Sequence, residues 1–548
     1  SLLLLTAVFI GFALVSAGGG RGNNGNHGPQ GPKKCSKARP RVRTNNGDVE
    51  GFCITDSPRR VNGFFGVPFA EPPVRFEKPI PKSNWTGVLS TKTHPKMCTQ
   101  ATPGDSEDCL YLNVYAPATA PPAGHPVFVV VHGGAFAFGS ANDGVPLHIA
   151  QNLAAKGLVV VMIQYRVGPL GFCTTKDSVL PGNYGMWDAK MAFEWVRDNI
   201  AAFGGNPNSV TAYGGSSGAG LIDGMHLSPL TTNLFHKMAI FAGAATNMWD
   251  APTKQKCEER AASLGLTWTD SASFKSALLG APASGLGAGW LVHDESSFDT
   301  IYADWAPVID GDFFPSSGPS MRAATQPKPS ILGIAFLEGA GSSGALNITS
   351  QTVEKIVEYM VPAGVFNRSQ FQSYLLESYR NQAIVLEPTA VDKHAAQAAL
   401  GERNRAAPMD AALRRNFELF GTNQTAYRYV FKHFNPATIG TRYPFVSFAS
   451  HAFDQYYSLG RPGFTFVSNS PDQVVVDIYT TALYNFAKTG NPNTGSGALP
   501  VEWTAATPSN PSLNYVIEST PSMDPQFFYG RPHLNNVLNK IGGTFRPV

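Results

Sequence analysis

The feature that most constrains the fold is a serine between glycines in residues 210–220, which read VTAYGGSSGAG. A β-branched and aromatic run leads into Gly214, Gly215, Ser216, Ser217 and Gly218. This Gly-x-Ser-x-Gly pattern is typical of a strand, a strained turn and a helix that lift a serine hydroxyl clear of the backbone. Positions 214 and 218 require glycine because a Cβ would collide in the turn. The helix behind it points free N–H groups at the turn, which favours a developing oxyanion.

The composition indicates which class of protein contains this turn. The 548 residues are 43% hydrophobic and 15% charged, which favours a globular chain with a large core over a disordered or fibrous one. The net charge of +3 is too small to indicate a nucleic-acid partner. No repeat or internal linker interrupts the later sequence, so we expect one large domain over residues 38–548. With 55 glycines in the chain, the serine pattern needs partners before it indicates catalysis.

The first 37 residues predict a leader and a linker. Residues 1–17 form an apolar run that ends in small residues, typical of a secretory signal peptide, with a buried core segment as the alternative. The sequence starts at Ser1 without a basic segment, so we expect this signal to be truncated at its front. Residues 18–37 are rich in Gly, Asn and Pro and predict a disordered basic linker, with weak polyanion contact as a functional alternative. No later run reaches the ~20 apolar residues of a membrane span.

Cysteines and sequons agree with an extracellular location. Cysteines behind a secretory signal are expected to pair, and Cys98 with Cys109 encloses a short polar loop. The pairing of the other four cysteines stays open at this point, with Cys35 to Cys53 and Cys173 to Cys257 as the expectation by elimination. Sequons predict N-glycosylation at Asn84, Asn347, Asn367 and Asn423.

Strand and helix patterns alternate along the chain. Near-continuous apolar runs at 127–131 and 158–165 predict strands buried on both faces, hence a parallel or mixed sheet. An alternating strand is predicted over 106–115 and further strands at 237–242, 331–336 and 427–431. Residues 188–202 carry a broad apolar stripe that predicts a helix. The fold class is therefore α/β, a large mostly parallel central sheet flanked by helices.

The segment after the 127–131 strand supplies a partner for the serine. It reads His132, Gly133, Gly134, Ala135 and Phe136, and its glycines allow backbone N–H groups to approach a ligand oxygen closely. Together with the N–H of Ser217, the amides of Gly133 and Gly134 would form an oxyanion hole. A plain glycine turn at a strand end is the alternative.

The acid and the base are expected after the serine, in that order. Glu338 follows the 331–336 strand and precedes a glycine, which places it at the carboxyl edge of the sheet. Among the histidines, His451 lies in a loop after the last clear strand and is the predicted base. His132 belongs to the glycine loop, His433 ends a strand, and His27 lies in the linker.

Cofactor motifs do not compete with this interpretation. Residues 339–344 match Gly-x-Gly-x-x-Gly after a strand, but dinucleotide binding requires that motif to open a βαβ unit. Metal-site spacings such as His-Glu-x-x-His and Cys-x-x-Cys do not occur in the sequence. We therefore expect neither cofactor nor metal.

These residues together resemble the type-B carboxylesterase/cholinesterase family of α/β-hydrolases, from about residue 39 to residue 508. The motifs that carry the resemblance are FGVPFAEPP at 65–73, SEDCLYLN at 106–113, HGGAF at 132–136, YR at 165–166, GF at 171–172, GNYG at 182–185, NIAAFGGNP at 199–207 and FAKTGNP at 486–492. The resemblance implies an α/β-hydrolase fold, a catalytic triad of Ser216, Glu338 and His451, and a first disulfide between Cys98 and Cys109.

Departures from the family pattern narrow the range of expected substrates. The family elbow is usually Gly-Glu-Ser-Ala-Gly, whereas Gly215 replaces the glutamate here and Ser217 the alanine. Cholinesterases hold the quaternary ammonium on a tryptophan inside the first disulfide loop, and residues 99–108 contain no aromatic residue. Phe448 stands where the histidine loop usually has glycine, although Asp454 supplies the expected acid three residues after His451.

The sequence therefore predicts a secreted serine carboxylesterase that hydrolyses uncharged carboxylic esters through an acyl-enzyme and does not favour choline esters. Its expected partner is a small-molecule ester, without nucleic acid or a membrane span. Two alternatives stay open. One is a non-catalytic adhesion protein of the neuroligin or gliotactin kind. The other is a lipase acting on long-chain lipid esters.

Overall fold

A large mixed sheet organises the molecule. The computed structural model describes residues 39–56, 58–249, 251–287, 305–340, 350–361, 365–439, 447–462, 466, 470–495, 497–532 and 534. Its strands are β1 (Arg41–Arg43), β2 (Asp48–Glu50), β3 (Phe52–Thr55), β4 (Val61–Pro68), β5 (Val88–Ser90), β6 (Tyr111–Pro117), β7 (His125–Val131), β8 (Val159–Ile163), β9 (Gly205–Gly215), β10 (Lys237–Phe241), β11 (Ser330–Ala335), β12 (Ala426–Phe431), β13 (Asn514–Ile517) and β14 (Ser522–Asp524). An 11-stranded sheet has the order β14-β13-β12-β11-β10-β9-β7-β8-β6-β4-β3, and β1, β2 and β5 form a small second sheet.

The centre of the large sheet is parallel. From β8 through β7, β9, β10, β11 and β12 to β13, every neighbouring pair runs in the same direction. Antiparallel pairs occur at the two margins, where β6, β4 and β3 lie on one side and β14 on the other. This confirms the predicted large, mostly parallel sheet, and it places the carboxyl ends of the central strands at one edge.

Both faces of the sheet are buried, as the apolar runs predict. Along β7, Val127, Val129 and Val131 belong to one apolar cluster, while Phe128 and Val130 belong to another. Because successive side chains of a strand point to opposite faces, the two clusters cover the two sides of the sheet. The core therefore consists of two layers with the sheet between them.

Helices cover both layers. They are α1 (Pro146–Asn152), α2 (Gly168–Phe172), α3 (Tyr184–Asn199), α4 (Ser217–Leu227), α5 (Thr253–Ser263), α6 (Ser271–Gly280), α7 (Ala283–Gly287), α8 (Gly318–Ala324), α9 (Ser350–Met360), α10 (Arg368–Leu386), α11 (Val391–Gly401), α12 (Ala407–Phe420), α13 (Pro436–Ile439), α14 (Phe453–Leu459) and α15 (Pro471–Thr489). A π-helical turn, Glu402–Ala406, joins α11 to α12. Short 3-10 turns are Ala154–Lys156, Ile200–Phe203, Thr232–Leu234, Ala245–Asn247, Gly421–Asn423 and Phe527–Gly530.

Most predicted elements are confirmed, with shifts at their ends. The predicted helix over 188–202 starts earlier, as α3, and closes in the 3-10 turn Ile200–Phe203. The strand predicted over 106–115 is wrong in its first half, because β6 begins only at Tyr111. Residues 106–110 instead close the disulfide loop, where Cys109 bonds Cys98 and Glu107 pairs with Arg75 at 2.7 Å.

Two of the three predicted disulfides lie within the described residues. Cys98–Cys109 and Cys173–Cys257 are both formed. Cys53 is also disulfide-bonded, and its predicted partner Cys35 lies outside the described residues.

The sequons and the leader are described only in part. The side chains of Asn84, Asn367 and Asn423 are exposed, as glycan attachment requires. Asn347, the predicted signal at 1–17, the linker at 18–37 and most of the 339–344 glycine motif lie outside the described residues. In the part of the chain that the structure describes, no helix has both the length and the apolar character needed to cross a bilayer.

Candidate active site

The predicted site residues converge on the carboxyl edge of the parallel strands. His132 and Gly133 follow β7, Ser216 follows β9, and Glu338 lies just past the end of β11. Only β10 separates β9 from β11 in the sheet. Two strand spacings amount to about 10 Å, a gap that an imidazole between a hydroxyl and a carboxylate can bridge.

Ser216 occupies a strained turn between β9 and α4. Its φ of 58° and ψ of −128° lie outside the conformations that L-residues ordinarily adopt. Its N–H donates to Phe241 O at 2.9 Å, and its own carbonyl accepts from Gly220 N at 3.1 Å. Hydrogen bonds on both sides therefore hold the strained backbone in place. This is the geometry that the sequence predicted for the nucleophile elbow.

The glycines of the elbow permit backbone-to-backbone contact with β7. A Cβ on Gly214 would lie 2.9 Å from Val131 O, and one on Gly218 would lie 2.4 Å from the same oxygen. Carbonyl oxygens of a central strand cannot move away without breaking the sheet. The predicted need for glycine at 214 and 218 therefore has a specific cause, the close approach of the Val131 carbonyl.

Gly215 is required for a different reason. A Cβ at this position would lie 1.8 Å from Cε2 of Phe241, so the phenyl ring occupies the space next to the serine where a side chain would begin. Phe241 is the last residue of β10 and is 1% exposed. The elbow thus carries an apolar ring at the place where the family pattern has a glutamate. Sequence analysis did not identify Phe241, because nothing in its own strand distinguishes it from other core residues.

The glycine loop after β7 lies against the elbow. A Cβ on Gly133 would lie 3.2 Å from Ser216 Cβ, and the φ of Gly134 is +117°, a value that favours glycine. Within the described residues, neither of their N–H groups donates a hydrogen bond. Ser217 is the first residue of α4, where N–H groups have no partner inside the helix. Gly133 therefore lies beside Ser216, and the binding of an oxyanion by the amides of Gly133, Gly134 and Ser217 stays a prediction.

Glu338 and His451 are brought into direct contact. The two residues are 113 positions apart, and Nδ1 of His451 bonds Oε1 of Glu338. The other oxygen, Oε2, accepts from Ala335 N at 2.8 Å at the end of β11. Leu337 N also donates to Ala449 O at 2.9 Å, which joins the acid loop to the histidine loop by main chain. This pairing orients the imidazole with Nε2 free of the carboxylate.

Burial and charge set the protonation of this pair. The Glu338 side chain is 2% exposed and that of His451 is 22% exposed. Burial raises the pKa of Glu338, but His451 and Arg405 outweigh it, so the net pKa is lowered and the carboxylate stays ionised. Burial and the nearby Arg405 lower the pKa of His451 below its ordinary value, against the opposing effect of Glu338. The ring is therefore neutral, as a general base must be.

A second buried acid lies behind the pair. Asp454, on α14, accepts from Tyr429 Oη at 2.6 Å, and Tyr429 Oη is 2.8 Å from Tyr479 Oη. Burial raises the pKa of Asp454 to about 7, and the negative charge of Glu338 contributes to this rise, although the Tyr429 bond opposes it. The acid three residues after the histidine thus belongs to a buried tyrosine network.

The other candidate histidines have structural surroundings. His132 stacks on Tyr165 with ring centroids 4.2 Å apart, and burial lowers its pKa to about 4. His433 bonds the buried carboxylate of Asp472 at 2.9 Å. Among the described residues, no hydrogen bond joins Ser216 Oγ to His451, a contact that often tightens only when substrate binds. His27 lies outside the described residues.

Arg405 was missed by sequence reasoning. It belongs to the π turn Glu402–Ala406, and its Nε lies 3.6 Å from Oε1 of Glu338. In the sequence, residues 402–405 read ERNR, which is typical of a solvated helix face, so no signal pointed to the triad. The structure shows that the predicted acid is shared by two cationic or basic side chains.

Comparison with known proteins agrees with this geometry. A model of the carboxylesterase family matches residues 38–528. Esterase cest-33 of Caenorhabditis elegans is 30% identical over 541 residues, 92% of this chain and 94% of that protein. Human bile salt-activated lipase is 31% identical over 511 residues, 86% of this chain and 65% of that protein. Human carboxylesterase 3 is 43% identical over 232 residues, 38% of this chain and 40% of that protein.

The family match spans nearly the whole chain, and the mixed sheet with its flanking helices is the α/β-hydrolase fold of that family. Relatives named esterase, carboxylesterase and lipase share the same class of reaction. The chain therefore belongs to the type-B carboxylesterase family and is a carboxylic ester hydrolase.

Proposed function

We propose that this hydrolase is a secreted serine esterase that cleaves uncharged carboxylic esters with the triad Ser216, His451 and Glu338. The single observation that carries the proposal is the Glu338–His451 bond at the sheet edge where the strained Ser216 turn ends. A carboxylate that holds Nδ1 of a neutral imidazole leaves Nε2 as the proton acceptor, which is the arrangement that activates a serine.

The reaction follows from these positions. Ser216 Oγ attacks the ester carbonyl carbon while His451 Nε2 takes the hydroxyl proton, and Glu338 stabilises the resulting imidazolium. The amides of Gly133, Gly134 and Ser217 hold the tetrahedral oxyanion. Collapse of this intermediate breaks the bond to the alcohol oxygen, which receives the proton from His451 and leaves an acyl-enzyme. Water, deprotonated by the same ring, then releases the acid and restores the serine.

The surroundings of the serine favour an uncharged substrate. The phenyl ring of Phe241 fills the space beside Ser216 where the family pattern has a carboxylate, so no anion at position 215 attracts a cationic alcohol. The Cys98–Cys109 loop encloses residues 99–108 without an aromatic side chain, and cation–π attraction there requires one. Both features support neutral esters over choline esters.

Secretion is part of the proposal. Two disulfides among the described residues suit an oxidising compartment, since cytosolic thiols are kept reduced. The exposed sequons at Asn84, Asn367 and Asn423 are accessible to glycosylation. Expression in a eukaryotic secretory host, followed by enzymatic deglycosylation, should give a mass loss. Full-length secreted protein whose mass is unaffected by deglycosylation would contradict the glycan assignment.

Covalent labelling tests the nucleophile. We expect an organophosphonate to label the wild-type protein at Ser216 and to stop hydrolysis of p-nitrophenyl butyrate. Ser216→Ala should lose the label and about 10⁴-fold or more of kcat/KM, because the nucleophile acts as a unit with its base. Ser209→Ala, on the same strand, is the matched control and should behave as wild type. Labelling of Ser216→Ala to the wild-type extent would refute the assignment.

Substrate comparison tests the proposed class against its alternatives. Equal concentrations of a soluble butyrate ester, butyrylcholine and emulsified long-chain triacylglycerol should give the highest kcat/KM on the soluble neutral ester. Preference for the emulsion would favour a lipase, the activity in the name of the 31% identical relative. Absence of turnover on all three, without phosphonate labelling, would favour the adhesion alternative.

A further inference from the structure

The π turn Glu402–Ala406 places a cation beside the candidate triad. π-helical turns are rare and occur frequently at functional sites, since each inserts one residue into an otherwise regular helix. Here the turn interrupts the passage from α11 to α12, and Arg405 is its fourth residue. The Arg405 side chain is only 17% exposed, although arginine is seldom buried without a partner.

One partner of Arg405 is Glu338, the acid of the candidate triad. Its Nε lies 3.6 Å from Oε1 of Glu338, the oxygen that also bonds His451 Nδ1. Oε2 of the same carboxylate is occupied by the Ala335 N–H at 2.8 Å. One oxygen of Glu338 thus faces an imidazole and a guanidinium at once, and only the guanidinium keeps its positive charge throughout the working pH range.

Close packing fixes the approach of α11 to the acid loop. A Cβ on Gly339 would lie 2.2 Å from Gln397 O, and a Cβ on Gly401 would lie 2.7 Å from Glu338 Cβ. The two glycines therefore allow the end of α11 to lie directly on the acid loop. Arg405 follows Gly401 by one helical turn, so its distance from Glu338 is set by backbone contact.

A buried cluster anchors the other side of the π turn. Glu402 Oε2 accepts from Tyr379 Oη at 2.9 Å and from Arg531 Nε at 2.9 Å. The Arg531 and Glu402 side chains are 2% and 3% exposed. The turn is therefore held on both sides, and Glu402 has its own cation and does not compete for Arg405.

We propose that Arg405 is a positioning residue of the triad, whose guanidinium shares Oε1 of Glu338 with His451 and places a permanent positive charge next to the imidazole. The inference rests on the proposed esterase mechanism. The guanidinium holds the carboxylate ionised and in place, and its charge disfavours the imidazolium at rest. Hydrolysis then continues at pH values where a triad without this cation would have a protonated, inactive base.

The charges that face the pair support this direction. Arg405 and Glu338 act on His451, and Asp454 lies behind Glu338 and feels its charge. Burial comes first and Arg405 second among the causes that lower the pKa of His451, while Glu338 opposes them. Asp454, with its pKa raised to about 7 by burial, carries little negative charge in acid and so does not counteract Arg405 there.

The test is the pH profile of kcat/KM in charge-altered variants. Phenyl butyrate is the substrate, and released phenol is quantified by chromatography so that the readout does not titrate. Arg405→Met should move the acid limb to higher pH, so that the ratio of kcat/KM at pH 5 to that at pH 8 falls about threefold or more. Arg405→Lys keeps the charge and should retain the acid limb nearer to wild type. Arg415→Met, which removes an exposed cation paired with Glu418 on α12, is the matched control and should leave the limb unchanged.

A second measurement covers poor folding or low turnover. The rate of phosphonate labelling of Ser216 also requires a neutral base, and Arg405→Gln offers a neutral polar side chain if Arg405→Met does not fold. An equal loss at every pH in Arg405→Met, Arg405→Gln and Arg405→Lys would show a structural role and overturn the inference, as would an unchanged limb in the neutral variants. If wild type hydrolyses no ester at any pH, the esterase mechanism itself fails, and the inference fails with it.

Discussion

The candidate site has a backbone side, where the turn around Ser216 contacts the glycine loop through main-chain atoms, and a charged side, where Glu338 contacts His451 through a side-chain bond. Gly133, Gly214 and Gly218 bring main chain within contact distance of main chain. The acid and the base come from loops 113 residues apart and depend on a carboxylate that also faces Arg405. The backbone side is therefore expected to be sensitive to any added side-chain atom, and the charged side to any change of charge.

The largest expected effect lies on the charged side. Glu338→Gln keeps the shape of the side chain but cannot stabilise an imidazolium, so kcat/KM should fall about 10³–10⁴-fold. Thermal unfolding should show that the fold persists. Glu418→Gln, an exposed residue of α12, serves as control and should keep full activity. Activity within about threefold of wild type in Glu338→Gln would mean that another group orients the ring.

A side chain added on the backbone side should lower the stability of the fold. A methyl group at position 218 would lie 2.4 Å from Val131 O, a main-chain atom that cannot retreat. Gly218→Ala should therefore lower the free energy of unfolding by about 3 kcal/mol, measured by urea denaturation. Gly280→Ala is the matched control, because nothing lies within 4 Å of its Cβ position. Equal stability of the two variants would show that the elbow can relax.

The buried acid behind the pair should make stability depend on pH. Burial raises the folded-state pKa of Asp454 to about 7, above the ordinary 3.8, so the native state binds this proton more tightly than the unfolded state. Stability from this group is therefore present in acid and is lost as pH rises towards 7. Asp454→Asn removes that loss and should be more stable than wild type at pH 8 by on the order of 2 kcal/mol, with a smaller difference at pH 5.

Asp472 provides the control with the opposite sign. Burial raises its pKa, but hydrogen bonds from His433, Thr438 and Tyr457 outweigh burial and lower it to about 2. Its carboxylate therefore contributes stability at neutral pH, and Asp472→Asn should destabilise the protein at pH 8. If Asp454→Asn destabilises the protein at pH 8, as Asp472→Asn is expected to do, the ionised state of Asp454 is not unfavourable and the prediction fails.

The smallest expected effect concerns Gly215 and Phe241, which lie between the backbone side and the charged side. Gly215→Glu should be destabilising because its side chain must displace the Phe241 ring, and Phe241→Leu should relieve part of that cost. A double-mutant cycle on unfolding free energies should give a favourable coupling of about 1 kcal/mol. The double variant should also gain activity on butyrylcholine relative to phenyl butyrate. Additive effects without that gain would mean that the ring does not decide the substrate charge.

The backbone side was predictable because its signal is contiguous in the sequence. The glycines around Ser216 and the loop at Gly133 each form a short motif whose shape is dictated by sterics, and the structure places them as expected. The sheet could be predicted for the same reason, because each buried strand is a contiguous apolar run in the sequence. The start of β6 was harder to predict, since the run over 106–115 alternates well but its first half is held by a disulfide and an ion pair.

The charged side was predictable only in part. Glu338 and His451 could be located from their order and from the strand before each loop, and their contact appears only in three dimensions. Arg405 could not be found, because a cation in a helical pattern with other charges is normally solvated, and the π turn that redirects it leaves no local sequence signature. Phe241 could not be found either, since its contact with Gly215 depends on how β10 pairs with the neighbouring strand β9.

The main-chain bond from Leu337 N to Ala449 O has a consequence for how these loops can diverge. A link between two backbones does not depend on which side chains flank it, so both loops can change their sequence while the carboxylate and the ring stay in register. Phe448 illustrates this freedom, because it replaces the expected glycine and packs edge-on against His394 with ring centroids 5.3 Å apart. Substitutions at positions 337 and 449 that keep this backbone bond should therefore leave the contact between Glu338 and His451 in place.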